Sequence, residues 1–357
     1  MDSLTQAVLG GAVGAAVGGP RLGRRAALWG AALGTLPDLD VLAYPWLDTA
    51  AELRVHRGVT HGLAFGPVVG PAAGWALWRL ERWRQARGAG RDPGSWRLWT
   101  ALAVAALVTH PLLDVFTVYG TQLLAPFSDR PFAIGSVFIL DPFYSVPLAL
   151  ALGVAVWRGA SPGARRAALV GLAVSSAYLA WSVAAQGVVE SRARAELAAD
   201  RLLVTPMPLQ TLLWRSVAAE GDRVATYEHA LLGPPDRFEL AGGSPLAALG
   251  PLEATRGVET LRWFSRGWLV RTDSAVGRAR GSADAPSVEV ADARFGCAPG
   301  GAYVFRWRVG ADGALVQQPF AARSGDGALG TLARRALRIA PVPPPLPCPR
   351  PSAAGSP

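Results

Sequence analysis

The chain contains no lysine, so all 35 of its basic residues are arginine, against 26 acidic ones. Together with abundant alanine, glycine and proline, this reads as genomic base bias and not as function. Cysteine is almost absent too. Cys297 and Cys348 are the only two, far apart and outside the apolar half, which excludes a disulfide framework and a CxxC-type metal pair. They could form one disulfide if that region is extracytoplasmic, or be two unrelated thiols. No cleavable signal peptide is expected either, because the N-terminus opens with Asp2 instead of a basic stretch and its apolar run continues without a cleavage context. Charged residues make up 17%, below the roughly 25% usual in soluble domains.

Hydrophobic residues, by contrast, reach 51% of the 357. The shortage of charge is concentrated before residue 190 and points to lipid contact. The net charge of +9 could suggest nucleic acid. The arginines, however, fall in short clusters between apolar runs, which is a pattern of membrane topology, so nucleic acid is not an expected partner.

Six apolar segments stand out, at 4–19, 26–42, 61–78, 97–113, 135–157 and 165–187. A helical span needs about 20 residues. The last four suffice, while the first two are short and rich in Gly and Ala, consistent with tilting, close packing or a re-entrant hairpin. Arg21, Arg24 and Arg25 follow the first segment, Arg79, Arg82, Arg84, Arg87, Arg91 and Arg97 the third, and Arg158, Arg165 and Arg166 the fifth. The positive-inside rule puts these three connections in the cytoplasm and everything from residue 188 outside. From about 201 the pattern changes to short runs rich in Val, Trp, Phe and Tyr. Residues 210–220 and 223–232 around Gly-Asp predict a β-hairpin, and 258–272, 287–295 and 302–309 predict further strands. The expected architecture is an α-helical multi-pass membrane bundle of about six helices over 1–190. A mainly β extracytoplasmic domain follows over 201–335, then a disordered Pro-rich tail over 340–357.

Three of the four histidines lie in the apolar half: His56 and His61 in HRGVTH, and His110 in THPLLD. With Asp38 and Asp40 of LPDLD they fall at the predicted outer ends of segments, and ionisable groups at membrane depth are functional candidates by default. His110 and Asp114 are four apart and share a helix face, although Pro111 could kink the helix or restart it there. His56 and His61, five apart, diverge on a continuous helix and converge if His56 lies in a loop and Thr60 caps the helix carrying His61. In a turn after Pro37 both Asp38 and Asp40 can point inward. Imidazole nitrogen and carboxylate oxygen suit zinc. Plainer roles stay open. Asp38 and Asp2 could cap helices, Asp129 could pair with Arg130, and Asp141 could cap segment five. His229 reads as structural. Trp214, Trp263, Trp268 and Trp307 could be core residues or could meet lipid headgroups.

MDSLTQAVLG, LPDLDV, HRGVTH, THPLLDVFTVYGTQLLAPFSDRPFAIGS and TPMPLQTLLWR together resemble the YdjM-like family of membrane-bound metal-dependent hydrolases. The resemblance covers nearly the whole chain except the tail. It implies a bacterial multi-pass inner-membrane hydrolase, with Asp38, Asp40, His56, His61, His110 and Asp114 matching the family's His/Asp motifs. HPLLD is also similar to the His-x-x-x-Asp metal pair of zinc-dependent phospholipase C.

The expected function is hydrolysis of a phosphoester or related bond in a lipid-derived or other small-molecule substrate, with membrane lipid as partner. One or two divalent ions, zinc or alternatively manganese, would be held by those six residues, with Asp141 or Asp129 as general base or orienting group and Arg130 holding an anion. The alternative is a non-catalytic membrane scaffold or sensor with a structural metal. A metal transporter fits less well, because the polar residues gather at one face. The topology has a direct check: a cysteine placed at Arg84 should react with an impermeant thiol reagent only after the inner membrane is opened.

Overall fold

The computed structural model describes residues 1–88, 91–197, 199–220, 223–232, 238–245, 250–272, 287–296, 304–319 and 328–338. The Pro-rich tail, Cys297, Cys348 and the Gly-Asp turn at 221–222 lie outside the described residues. The chain divides into two compact units. One is Met1–Pro45, Val55–Val183 and Pro208–Gln210, and the other is Trp46–Arg54, Ala184–Met207 and Thr211–Pro357.

The first unit is helical. α1 (Ser3–Leu22) begins where the Asp2 carboxylate accepts the Thr5 N–H at 3.0 Å, so Asp2 is a cap. Gly23, at φ +60°, reverses the chain into α2 (Arg24–Thr35). The two helices lie backbone to backbone: a Cβ on Gly10 would sit 2.3 Å from the Gly30 carbonyl oxygen, and one on Gly30 would meet Gly10 equally closely. Close packing through small residues therefore explains the Gly/Ala content of the first two segments. After α3 (Thr49–Val55), which belongs to the second unit up to Arg54, come α4 (Phe65–Ala86) and α5 (Trp96–Asp114). These two press together as tightly, since a Cβ on Gly74 would fall 2.5 Å from the Thr100 backbone. α6 (Pro142–Arg158) and the 35-residue α7 (Pro162–Glu196), which belongs to this unit up to Val183, complete the series. At about 1.5 Å per residue α7 is roughly 52 Å long, more than a bilayer core requires.

Among the described residues, α5 and α7 are long and apolar enough to cross a membrane, and α6, at 17 residues, is a shorter apolar helix. The other apolar segments also form helices but fall short of that combined length and apolarity. Segment three starts later than expected, at Phe65, because residues 59–61 form a separate 3-10 turn. Arginine guanidiniums lie over tryptophan rings on α4 (Arg79 on Trp75, Arg82 on Trp78, Arg87 on Trp83), at the start of α5 (Arg97 on Trp96) and at the end of α6 (Arg158 on Trp157), at 4.1–5.9 Å. Such pairs are suited to a membrane–water boundary. Glu81, buried among them, takes hydrogen bonds from Arg25 at 2.7 Å and from the Trp29 indole at 3.2 Å.

The second unit carries an antiparallel eight-stranded sheet in chain order: β1 (Arg201–Pro206), β2 (Leu213–Glu220), β3 (Arg223–Ala230), β4 (Phe238–Pro245), β5 (Leu269–Arg271), β6 (Val288–Asp292), β7 (Arg306–Val309) and β8 (Leu315–Gln317). β2 and β3 pair as the expected hairpin, with Glu220 opposite Arg223. Residues 258–272 are not one strand. They begin in α8 (Arg256–Phe264), whose buried Val258, Leu261 and Phe264 recur every three positions, the helical repeat. α9 (Ala328–Ala336) lies near the end of the described chain. Val217, Val224, Trp268, Val270 and Ala291 pack one core cluster. His229 is buried on β3 and shares a 2.7 Å hydrogen bond with Ser216, a structural role.

The α1–α2 contact yields a stability prediction. Gly30→Val should destabilise the protein by about 1–3 kcal/mol or more through overpacking, read as a lowered Tm in detergent. Gly153→Val, where a Cβ meets nothing within 4 Å, should leave the Tm nearly unchanged.

Candidate metal centre

α2 stops at Thr35, and Pro37 opens a 3-10 stretch to Trp46. Three residues per turn place Asp38 and Asp40, two apart, on different faces. Asp38 accepts from the Ser3 hydroxyl at 3.0 Å through one oxygen and turns the other to the histidines. Asp40 sits one layer behind. Its Oδ1 is 3.0 Å from His56 Nδ1, while its Oδ2 accepts the Arg57 N–H at 3.0 Å and the Thr60 hydroxyl at 3.3 Å and lies 3.6 Å from His61 Nδ1.

His56 follows α3 directly, and the chain then turns through Arg57, whose φ of +57° is left-handed. That conformation costs a non-glycine residue about 1–2 kcal/mol, offset here by the Arg57 N–H bond to Asp40. The turn brings the His56 and His61 rings to 6.0 Å. Thr60 does not cap the following helix as expected. It instead hydrogen-bonds Asp40 and His61 Nδ1, the latter at 3.0 Å.

α5 runs through Pro111 without a break and carries His110 and Asp114 one turn apart in its last turn. The carbonyl of Gly34 belongs to the last turn of α2, where such groups lack intrahelical partners, and it meets His110 Nδ1 at 2.6 Å. A carbonyl only accepts, so His110 Nδ1 carries the proton and Nε2 the lone pair. The acceptors around His61 Nδ1 assign the same tautomer to that ring.

Both Nε2 lone pairs consequently face one point. They are 3.0 Å apart. Asp38 Oδ1 lies 3.4 Å from His61 Nε2 and 3.5 Å from His110 Nε2, and Asp114 Oδ2 lies 3.5 Å from each. A tetrahedral ion with bonds near 2.0–2.1 Å has ligand-to-ligand edges of about 3.3 Å. Asp38, His61 and His110 thus form a group able to hold a metal ion, and Asp114 adds a fourth donor. Its Oδ2 is buried with no hydrogen-bond partner, while its Oδ1 is saturated by Gln6 Nε2 at 3.1 Å, by Arg57 at 3.3 Å and by the Met1 amino group. Two imidazole nitrogens and an orphaned carboxylate oxygen thus converge on one point, so the donor set fits a metal.

The remaining expected residues lie elsewhere. Asp141 caps α6, accepting the Phe143 N–H at 3.0 Å and the Tyr178 hydroxyl at 2.8 Å, which occupies both oxygens. Asp129 and Arg130 are exposed, and the Arg130 guanidinium lies 5.7 Å from the Phe132 ring centre. Sequence reasoning missed Gln6 and Arg57. Gln6 binds both the His110 carbonyl, at 3.2 Å, and Asp114. Arg57 also donates to Thr117 at 2.9 Å and lies over Tyr119. An amide inside an apolar helix and an arginine inside HRGVTH were the available signals.

A family model described as "YdjM inner membrane protein" matches residues 1–189, and the chain belongs to that family. The matched region contains every donor above. The chain is also 33% identical over 135 residues to the uncharacterized protein YfhP of Bacillus subtilis (strain 168), covering 36% of this chain and 35% of that protein. The match therefore spans about a third of the relative's length. No solved structure matches the chain.

The layer behind the donors can be tested separately from the donors. Asp40→Asn keeps the size of the side chain but removes the charge that orients His61. It should weaken zinc binding by about 10–100-fold, measured by chelator competition, with an unchanged circular dichroism spectrum.

Proposed function

Starting from membership of an inner-membrane family, we propose that the chain is a metal-dependent hydrolase. Its substrate is a phosphoester or related bond of a lipid-derived molecule, cleaved at the extracytoplasmic face. The observation that supports this reading best is the pair of Nε2 lone pairs 3.0 Å apart beside the unpartnered Asp114 Oδ2. Asp38, His61, His110 and Asp114 would hold the ion, zinc or manganese. When bound, it supplies Lewis-acid stabilisation of developing negative charge and activates water.

The chain's own residues do the rest. Arg57 and Gln6 hold Asp114 so that only Oδ2 faces the histidines. Asp40 fixes His56 by its Nδ1, which leaves His56 Nε2 as the atom able to take a proton. With a fifth of its side chain exposed, against none for His61 and His110, His56 stands where the site opens. His56 is thus better placed than Asp141 for the base role, because both Asp141 oxygens are engaged. Arg130 is the exposed guanidinium available for an anionic group.

A second reading has one observation in its favour. Four donors suffice to close a tetrahedral zinc site, as structural sites do, which would make the metal a brace for the bundle. One experiment separates the two. Purified protein should contain near-stoichiometric zinc or manganese, lost in His110→Ala and Asp114→Ala. It should also release phosphate from phospholipid or isoprenoid-phosphate substrates in mixed micelles, abolished by chelation and restored by the metal. Metal without turnover, together with a Tm that falls on chelation, would favour the brace. Absence of metal even after reconstitution would sink both.

A further inference from the structure

We propose that the site is entered sideways from the lipid leaflet, its mouth rimmed by Leu39, Leu42, Val59, Leu124 and Phe127, which seat the acyl or isoprenyl chain of the substrate. The proposal rests on the hydrolase reading above for the reaction, but its geometry stands apart from it.

These five side chains are 50%, 63%, 57%, 48% and 87% exposed. They belong to three stretches of chain, all of which meet at the metal group. Leu39 lies between Asp38 and Asp40, and Val59 precedes Thr60, which bonds Asp40. The stretch with Leu124 and Phe127 is tied to the histidine turn by the Gln122 N–H to the Arg57 carbonyl at 3.0 Å and the Leu63 N–H to the Leu123 carbonyl at 2.9 Å. Phenylalanine and leucine left this bare in water would be costly, at about 25 cal/mol per Å².

Depth supplies the occupant. α5 is one of the two candidate spans, and its 19 residues rise about 28 Å, close to a hydrocarbon thickness of about 30 Å. His110 and Asp114 occupy its final turn, so the donors fall at the boundary between chains and headgroups. The exposed apolar residues Leu124 and Phe127 follow α5 in the chain, beyond its last turn. At that level the bond joining a lipid's chains to its headgroup lies beside the donors while its chains remain among the rim residues. A water-borne substrate would need neither the depth nor the rim.

The test is a depth measurement. In full-length protein with Cys297 and Cys348 replaced by serine, spin labels are attached at Leu42→Cys and Phe127→Cys and the protein is reconstituted in phosphatidylethanolamine–phosphatidylglycerol vesicles. Leu169→Cys on α7 serves as a lipid reference and Asp312→Cys as an aqueous one. We expect oxygen-dominated relaxation at 42 and 127, close to the lipid reference, with nickel-chelate access several-fold below the aqueous reference. This corresponds to about 5–10 Å of insertion into the headgroup–acyl boundary. Nickel access equal to that at 312 overturns the proposal. Zinc content of the same proteins is the separate readout for the hydrolase reading. Zinc retained with water-exposed labels overturns leaflet entry alone, whereas labels in the leaflet with no zinc support the rim and overturn the hydrolase.

Discussion

Two imidazole nitrogens held 3.0 Å apart with their lone pairs facing are the constraint on which the helical unit depends. Each ring is fixed from behind: His110 by the last-turn carbonyl of α2, and His61 by Thr60 and Asp40. Neither can turn away without abandoning a buried hydrogen bond, and a buried polar group left unpaired costs about 1–3 kcal/mol. The convergence is built in, and a cation held between the rings would satisfy both nitrogens at once. Asp114 repeats the same logic with oxygen, since one of its atoms is filled by Gln6, Arg57 and the Met1 amine while the other is kept bare.

That geometry requires backbones to come unusually close. The Gly34 carbonyl reaches His110 because α1 and α2 touch at glycines, and Gln6 reaches Asp114 from α1. On the other flank α4 closes on α5, the helix that carries His110 and Asp114, again through glycines. The small residues of the apolar segments are therefore part of the site, although none of them touches the donors with a side chain. The Arg97–Trp96 pair and the donor residues His110 and Asp114 fall at opposite ends of α5.

Much of this was legible in the sequence. His110 and Asp114, four apart on an apolar run, share a face of α5 as expected, whereas the helix runs on through Pro111 instead of restarting there. The carboxylates of LPDLD were recognisable as candidates, but their division into a donor and an orienting group was not, because it depends on a 3-10 stretch that only the packing against Ser3 and Thr60 reveals. Thr60 looked like a helix cap because Thr before an apolar run usually is one, and tertiary hydrogen bonds to Asp40 prevailed. Gln6 and Arg57 stood out only as an amide and an arginine in unusual places, and their roles were not legible because their partners are distant in sequence. In the second unit, Val258, Leu261 and Phe264 share their residue types with strands, and only their spacing of three marks α8. The resemblance drawn from the same motifs agrees with the family match over 1–189.

The arrangement also bears on whether the ion braces or reacts. A brace gains most when every donor is sealed, since exposure invites loss of the ion and contributes nothing to packing. Here three donors are fully buried and the fourth, Asp38, is partly exposed, as is His56, whose ring is held by the Asp40 carboxylate. The Asp40 contact orients His56, which is not among the four donors, and a brace does not need that ring oriented. It does fix where a proton would be taken up. The asymmetry of the site, with buried donors on α5 and a partly exposed Asp38, accordingly supports the proposed chemistry over bracing.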